Sequence, residues 1–315
     1  MSGTMSTPPL DAPPLEGNRS ADSRTVELAL RQGVRALLAH SGSPQLDAEV
    51  LLSAVLGVGR STLIARGADP LPEDALRTYR DLLEQRRSGM PVAYLTGRRE
   101  FWSLPLKITP AVLVPRHETE ILVEVALTHL PVSAECAVLD LGTGSGAVAL
   151  AIASERPLAR VVGVDVSPGA LGVARENARA LALRNATFRL GSWFDAVPDE
   201  RFDVVVANPP YIADGDPALD ALAAEPALAL VAGPEGLDAL AAIIARAPSH
   251  LNRGGWLLLE HGSSQQLEVA RLLERRGFTA VDGHSDYSGL PRVTRGTLPS
   301  PPKERTHDPL RDDPR

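Results

Sequence analysis

Residues Ala137 to Gly146 read AVLDLGTGSG, an apolar run that contains one acid, Asp140, and passes into a glycine-rich turn. A short run of valine and leucine that is bounded by glycines is typical of a buried β-strand. The residues that follow, 147–154, continue as a helical pattern. This order of strand, tight turn and helix predicts the first part of an α/β domain.

Short apolar runs alternate with helical patterns along the rest of the chain, and this alternation predicts parallel strands with helices on both faces of a sheet. The final segment, FTAVDGHSDYSGLPRV, contains two strand patterns with no helix between them, which predicts an antiparallel pair at the sheet edge. The other predicted strands are RVVGVDV, ATFRLG, FDVVVANPP and GGWLLLEHG, and the other predicted helices cover 168–181, 237–247 and 265–276.

The first part of the chain has a different pattern. Apolar residues such as Val26, Leu30 and Val34 recur at helical spacing, which predicts a small helical domain. The segment VAYLTGRREFWSLPLKIT is rich in β-forming residues and predicts a hairpin that joins two domains. We therefore expect disordered tails at 1–22 and 298–315, a helical substrate-docking domain at 23–89, a β-hairpin linker at 90–115 and the α/β domain at 116–297.

Composition limits the possible functions of the protein. Its 315 residues carry a formal net charge of -7, which argues against a protein that coats nucleic acid by neutralising phosphates. The one cysteine, Cys136, excludes an internal disulfide framework and a multi-cysteine metal cluster, and its apolar surroundings predict a small buried hydrophobe. We find no membrane-length apolar run and no signal peptide, so we expect a cytoplasmic protein.

A nucleotide pocket is predicted where the first strand of the α/β domain ends. Gly142 and Gly144 permit a tight turn with bare backbone facing a ligand, and Gly146 opens a helix whose N-terminal amides attract negative charge. The next strand ends in Asp165, whose carboxylate can accept hydrogen bonds from both hydroxyls of a ribose. Trp193 follows the third strand at the same edge, where it can form an apolar wall for an adenine ring. Because Ala147 completes a G-x-G-x-x-A pattern, NAD binding remains an alternative.

The strand FDVVVA ends in Asn208, Pro209, Pro210 and Tyr211, and in a doubly wound sheet it lies beside the first strand. The side-chain carbonyl of Asn208 and the backbone carbonyl of Pro209 are two neutral acceptors, which suits them to hold an NH2 group. The prolines fix the direction of the carbonyls, and Tyr211 offers a face for a planar group. An amide nitrogen is a poor nucleophile because its lone pair is delocalised. Accepting both of its hydrogens favours a pyramidal nitrogen that can attack an electrophilic methyl group.

Three motifs of the chain carry a resemblance to known proteins: NPPY, which follows the strand FDVVVA, and the segments DLGTGSG and VDVSPGAL. The chain resembles S-adenosylmethionine-dependent methyltransferases that act on planar nitrogens. The segments PVAYLTGRREFW and VPRHETE narrow the resemblance to the PrmC/HemK family, the protein-(glutamine-N5) methyltransferases that modify the Gly-Gly-Gln loop of peptide chain release factors. The resemblance covers most of residues 25–296. It implies a Rossmann-like seven-stranded methyltransferase domain, a release factor as the protein substrate and an N-terminal domain that helps to dock it.

The resemblance also implies roles for individual residues. The residues expected to contact S-adenosylmethionine are Gly142, Thr143, Gly144, Ser145, Gly146, Asp165, Trp193 and Asn208. The substrate amide is expected to lie against Asn208, Pro209, Pro210 and Tyr211, of which Asn208, Pro209 and Tyr211 are the expected catalytic residues. We expect no metal, no membrane association, no direct nucleic-acid binding and a monomer. His117 stands where the family usually has proline, and we expect it to have a structural role.

Two other functions compete with this prediction. The first is an N6-adenine or guanine-N2 methyltransferase acting on DNA or RNA, since these substrates also offer a planar NH2 group to an NPPY site. On a duplex substrate such an enzyme would have to flip the base. The acidic charge balance and the lack of a recognisable target-recognition domain argue against it. A non-catalytic or NAD-binding module would use the same glycine loop, but it gives NPPY no purpose.

Overall fold

The computed structural model describes residues 24–299, and contacts within the chain divide it into two compact units after Thr96. The predicted tail 1–22 and most of the predicted tail 298–315 lie outside the described residues. Leu298 is described, and its N–H donates to the carbonyl of Gly255 at 2.9 Å, so ordered structure extends at least one residue past the predicted end of the second domain. The domain boundaries remain a prediction.

The first unit is helical, as its apolar spacing predicts. Thr25 begins the first helix as its N-cap, with a side chain that accepts a hydrogen bond from the N–H of Leu28. Leu37, Leu51 and Tyr79 are almost fully buried in the core of this unit. The helices are α1 (Val26–Leu37), α2 (Pro44–Leu56), α3 (Arg60–Ala65), α4 (Glu73–Arg87) and α5 (Val92–Thr96).

The predicted hairpin is shorter than the β-rich sequence suggests. VAYLT forms the helix α5 instead of a strand, since the Pro91 carbonyl accepts the N–H groups of Tyr94 and Leu95 and closes a first helical turn. The hairpin itself consists of β1 (Arg98–Phe101) and β2 (Leu104–Lys107), which pair in antiparallel fashion. The β-propensity of these residues is therefore outweighed by the preceding proline, which starts a helix.

The second unit contains a seven-stranded sheet, in agreement with the predicted fold class. Its strands are β3 (Ala137–Leu141), β4 (Arg160–Asp165), β5 (Ala186–Leu190), β6 (Phe202–Ala207), β7 (Leu251–Glu260), β8 (Thr279–Ser285) and β9 (Pro291–Thr297). They lie in the order β5-β4-β3-β6-β7-β9-β8. The pairs from β5 to β7 are parallel, whereas β9 runs antiparallel to both β7 and β8. The predicted antiparallel edge pair is thus confirmed.

Both faces of the sheet are buried, which explains why its strands read as continuous apolar runs. Leu139, Val205 and Leu257 point to one face and belong to a core cluster with residues of the helices Asp238–His250 and Gln266–Arg275. Their neighbours Val138 and Val204 are equally buried on the other face. The helices of this unit are α6 (Glu120–Leu127), α7 (Ala147–Glu155), α8 (Pro168–Ala180), α9 (Ala218–Ala221), α10 (Asp238–His250) and α11 (Gln266–Arg275), with 3₁₀ turns at His117–Thr119, Trp193–Ala196 and Ala227–Ala229.

The strand order reverses at β3, which lies between β4 and β6. The carboxyl ends of these strands and of β7 lead into the glycine turn, Asp165, Asn208 and Glu260 at one edge of the sheet. Ligands of doubly wound sheets bind at such a reversal point.

Cys136, just before β3, is buried and free, and burial raises the pKa of its thiol. Within 24–299, no helix has the length and apolar character needed to cross a membrane.

Candidate active site

The glycine turn after β3 folds back onto β4. The N–H groups of Gly142 and Thr143 both donate to the carbonyl of Val164, at 2.8 and 3.0 Å. Gly142, Gly144 and Gly146 have φ angles of 72°, 55° and 83°, the left-handed region that glycine enters without steric cost. The predicted tight turn at Gly142 and Gly144 is therefore present, and Gly146 is the N-cap of α7, as predicted.

Gly142, Trp193 and Asn208 come together at the sheet edge. A Cβ atom built on Gly142 would lie 3.6 Å from the Trp193 ring and 4.0 Å from the backbone carbonyl oxygen of Asn208. Trp193 has a φ of 49°, a conformation that costs a non-glycine residue roughly 1–2 kcal/mol. The fold thus maintains a strained tryptophan beside bare glycine backbone, which is a feature common at ligand sites.

Asp165 binds the glycine turn from the end of β4. One carboxylate oxygen accepts the N–H of Gly144 at 2.8 Å, and the other accepts the N–H of Ser167 at 2.9 Å. The group is half-buried, and each oxygen retains a lone pair for a further donor. Its position is thereby fixed while it keeps the capacity to accept hydroxyl groups of a ligand.

Asp140 is a site residue that we did not predict. It is 2 % exposed, and one carboxylate oxygen accepts the hydroxyl of Thr143 at 2.7 Å and the N–H of Ala149 at 3.2 Å. Burial raises its pKa to about 7, a rise that the two hydrogen bonds oppose and the Asp165 charge reinforces. Asp140 ties the glycine turn to α7. Ser145, also predicted at the cofactor site, is buried, and its carbonyl accepts a hydrogen bond from Asn177.

The NPPY segment follows β6 and is held at both ends. The amide Nδ2 of Asn208 donates to the hydroxyl of Thr119 at 3.1 Å. The carbonyl of Tyr211 accepts the side-chain N–H of Gln265 at 3.0 Å, and this amide also donates to the carbonyl of Gly236 at 3.2 Å. Pro209 is buried and Pro210 is half-buried between these anchors. The segment is therefore preorganised by hydrogen bonds with two other parts of the unit.

Two titratable groups interact at this segment, the carboxyl group of Glu260 and the phenol of Tyr211. Glu260 ends β7 and is 2 % exposed, and burial raises its pKa to about 7. Burial also raises the pKa of Tyr211 to about 12, an effect that the Glu260 charge increases and Arg292 opposes. The phenol is consequently protonated at neutral pH. We missed Glu260 and Thr119, although GGWLLLEHG shows the signal that identified Asp165, an acid at the end of an apolar strand.

The segment before α6 is fixed by a buried acid. Glu225 accepts the backbone N–H of Val114 at 3.0 Å and forms an ion pair with Arg116. His117 starts the 3₁₀ turn that carries Thr119, and its side chain is exposed.

Among residues 24–299, no group of three or more His, Cys, Asp or Glu side chains is arranged to hold a metal ion, and the expectation of a metal-free protein remains a prediction.

Comparison with known protein families and curated proteins covers both units. Residues 29–97 match the PrmC N-terminal domain, and residues 132–289 match a methyltransferase domain. A release factor glutamine methyltransferase of Xylella fastidiosa is 49% identical over 257 residues, 81% of this chain and 94% of the relative. The protein of the same name from Escherichia coli K12 is 44% identical over 269 residues, 85% of this chain and 96% of the relative.

Solved structures with similar folds include a 16S rRNA N2 G1207 methyltransferase of Thermus thermophilus, in complex with AdoMet and guanosine. It is 23% identical with a TM-score of 0.51, covering 64% of this chain and 49% of its own, and this level of similarity shows the fold alone. A protein-(glutamine-N5) methyltransferase of Alicyclobacillus acidocaldarius is 31% identical, covers 62% of this chain and 100% of its own, and has a TM-score of 0.39.

Proposed function

Since this chain belongs to the release factor glutamine methyltransferase family, we propose that it methylates a glutamine side chain of peptide chain release factors. The acceptor atom is the amide nitrogen, N5, of the glutamine in the Gly-Gly-Gln loop. The methyl donor is S-adenosylmethionine. The chain covers nearly the full length of these relatives, which supports carrying their activity over to it.

The glycine turn and its neighbours fit the methyl donor. The space at Gly142 is bordered by the Trp193 ring and the Asn208 carbonyl, and a side chain at that position would occupy it. Gly142 to Gly146 would face the donor with bare backbone, Asp165 would accept ribose hydroxyls, and Trp193 would cover the adenine. When bound, S-adenosylmethionine supplies an electrophilic methyl group on a sulfonium centre.

The residues of the NPPY segment overcome the low nucleophilicity of the substrate amide. The Asn208 side-chain carbonyl and the Pro209 backbone carbonyl each accept one N–H of the glutamine NH2. These bonds draw the nitrogen out of conjugation and stabilise the positive charge that develops on it. The two proline rings fix the backbone, so the acceptors do not have to reorganise during the reaction. Tyr211 packs against the planar amide and limits its rotation.

The helical unit, residues 24–96, helps to dock the release factor, and its match to the PrmC N-terminal domain supports this role. The protein acts as a monomer in the cytoplasm, where release factors work on ribosomes, and it does not bind nucleic acid directly. The net charge of -7 supports the last point.

The observation that carries the proposal is the orientation of Asn208. Its backbone carbonyl borders the glycine turn, and its NH2 group is engaged by Thr119. The remaining polar atom of the head group, Oδ1, is therefore the one that can accept a substrate N–H next to the donor site.

Mass spectrometry of a purified release factor tests the proposal. After incubation with this protein and S-adenosylmethionine, we expect a mass increase of one methyl group on the peptide that contains Gly-Gly-Gln. A release factor with alanine in place of that glutamine is the matched control and should stay unmodified. Methyl incorporation into DNA or RNA, with none into the release factor, would reject the proposal in favour of the nucleic-acid alternative.

A further inference from the structure

Glu260 is a buried acid at the active site for which the proposed reaction has no role so far. β6 and β7 pair in parallel with Ala207 opposite Leu259, so Asn208 and Glu260 are the next residues on the two strands. An acid that is 2 % exposed is costly to ionise unless it accepts hydrogen bonds. The contacts of Glu260 therefore indicate what its charge does.

The two side chains that interact with the Glu260 carboxyl group are those of Asn208 and of Thr119, the hydrogen-bond partner of Asn208. Hydrogen bonding from the side chains of Thr119 and Asn208 lowers the pKa of the Glu260 carboxyl group. Asn208 Nδ2 also donates to the Thr119 oxygen at 3.1 Å. The Asn208 NH2 group thus lies against two acceptors. Within 24–299, no N–H or O–H group donates to its Oδ1.

The charge of Glu260 decides which way the Asn208 amide faces. An ionised carboxylate can only accept hydrogen bonds, so it attracts the NH2 end of an amide and repels the oxygen end. A protonated carboxyl group can donate, and it permits the flipped amide with Oδ1 turned inward. A flipped Asn208 would present NH2 to the substrate NH2, and the two donors could not bind each other.

We propose that ionised Glu260 is a positioning residue that locks the Asn208 amide with its oxygen towards the substrate nitrogen. This inference rests on the proposed function, because it assigns the orientation of the acceptor that the reaction needs. Thr119 assists as the hydroxyl that bridges Asn208 and Glu260. Glu260 acts through Asn208 and does not itself have to contact the substrate.

The surroundings of Glu260 make this lock sensitive to pH near neutrality. Burial, reinforced by the Glu118 carboxylate, raises the pKa of Glu260 to about 7. Hydrogen bonding from Thr119 and Asn208 and the charge of the Arg292 guanidinium oppose this rise. Arg292 is itself paired with Asp286 at 2.8 Å, which weakens its effect on Glu260. The other carboxylate oxygen, Oε2, is buried without a hydrogen-bond partner among the described residues and can take up the proton. The remaining titratable neighbours are the Tyr211 phenol and His261, whose pKa burial lowers.

The variant Glu260→Gln tests the lock because glutamine keeps the size of the side chain and removes its charge. In the parent protein, kcat should rise with pH and level off above pH 7, and well below that midpoint it should settle at a value about tenfold lower. In Glu260→Gln, kcat at pH 8 should be about tenfold lower and nearly independent of pH between 6 and 8, while the dissociation constant for S-adenosylmethionine stays within about twofold. An unchanged kcat and pH profile would overturn the inference.

The variant Glu118→Gln supplies an independent check. It removes a negative charge that raises the pKa of Glu260, so the midpoint of the pH profile should shift down by roughly 0.3–1 pH unit. A purely structural role for Glu260 would leave this midpoint where it is. A midpoint that does not move in Glu118→Gln and persists in Glu260→Gln would mean that another group titrates.

A spectroscopic measurement separates this inference from the proposed function. The side-chain NH2 resonances of Asn208, followed by NMR, should shift with a midpoint near pH 7 in the parent protein and should not titrate in Glu260→Gln. This result would support the lock even if no release factor were methylated, and that failure would reject only the proposed function. Resonances that do not titrate in the parent protein would reject the lock.

Discussion

The variant Gly236→Ala tests whether the position of the NPPY segment controls turnover. Gly236 has a φ of 69°, and a Cβ atom built on it would lie 2.3 Å from the carbonyl oxygen of Tyr211. Contacts of a Cβ atom below 3.0 Å essentially do not occur, so the backbone of Tyr211 would have to retreat by about 0.7 Å. This carbonyl is backbone, and it is also the acceptor of the Gln265 hydrogen bond.

The matched control is Gly215→Ala. Gly215 has a φ of 74°, but a Cβ atom there would meet nothing within 4 Å. Both variants lose roughly 1–2 kcal/mol of stability from an alanine in the left-handed region. Only Gly236→Ala adds a steric conflict, which costs about 1–3 kcal/mol more. Any further loss of activity in Gly236→Ala thus reports the displacement of the NPPY segment.

Steady-state methylation of a purified release factor provides the assay, with thermal unfolding to confirm that both variants are folded. A misplacement approaching 1 Å reduces turnover by up to about 10²-fold, so we expect kcat for Gly236→Ala to fall by tenfold to 10²-fold. Gly215→Ala should stay within about twofold of the parent. Equal kcat values for the two folded variants would refute the reasoning that the NPPY backbone must be held in place.

Three further variants test other parts of the site. Asp140→Asn should gain stability relative to the parent, by up to about 4 kcal/mol, as pH rises from about 4 to about 7. The reason is that the buried Asp140 carboxyl, with its raised pKa, holds its proton more tightly in the folded state than in the unfolded state. Denaturant unfolding measures this difference in stability, and a difference that is independent of pH would contradict the prediction. Trp193→Ala should weaken S-adenosylmethionine binding by roughly 1–3 kcal/mol in calorimetry if the ring covers the adenine, and unchanged affinity would exclude that role. Thr119→Val should reduce kcat by about tenfold with unchanged cofactor affinity, whereas parental kcat would show that the hydroxyl does not orient Asn208.

The sequence predicts the sheet well because its information is local. Each buried parallel strand is a continuous apolar run that ends in glycine or a polar residue, so the glycine turn, Asp165 and Asn208 can be assigned to one edge before the structure is known. The segment Val92–Thr96 shows the limit of this approach, since its residue types favour a strand while the preceding proline starts a helix. The roles of the individual site residues remain predictions.

The orienting contacts of the site could not be predicted from local patterns. Asn208 and Thr119 are 89 positions apart, and their hydrogen bond depends on how α6 and its 3₁₀ turn pack beside β6 and β7. Glu260 is a neighbour of Asn208 only because β7 pairs with β6 in a particular register. Strand-end acids in general, including Asp140, are a signal that a sequence analysis can use, but their partners emerge only from the fold.

The most direct test of the central claim is single-turnover methylation of a release factor by Asn208→Ala at saturating S-adenosylmethionine. The backbone carbonyl that borders the glycine turn is retained in this variant, so cofactor affinity should change little. We predict that the rate of methyl transfer falls by about 10² to 10³, the scale of losing one preorganised polar contact in a transition state. Methyl transfer at the parental rate would contradict the claim that the asparagine oxygen holds the substrate amide.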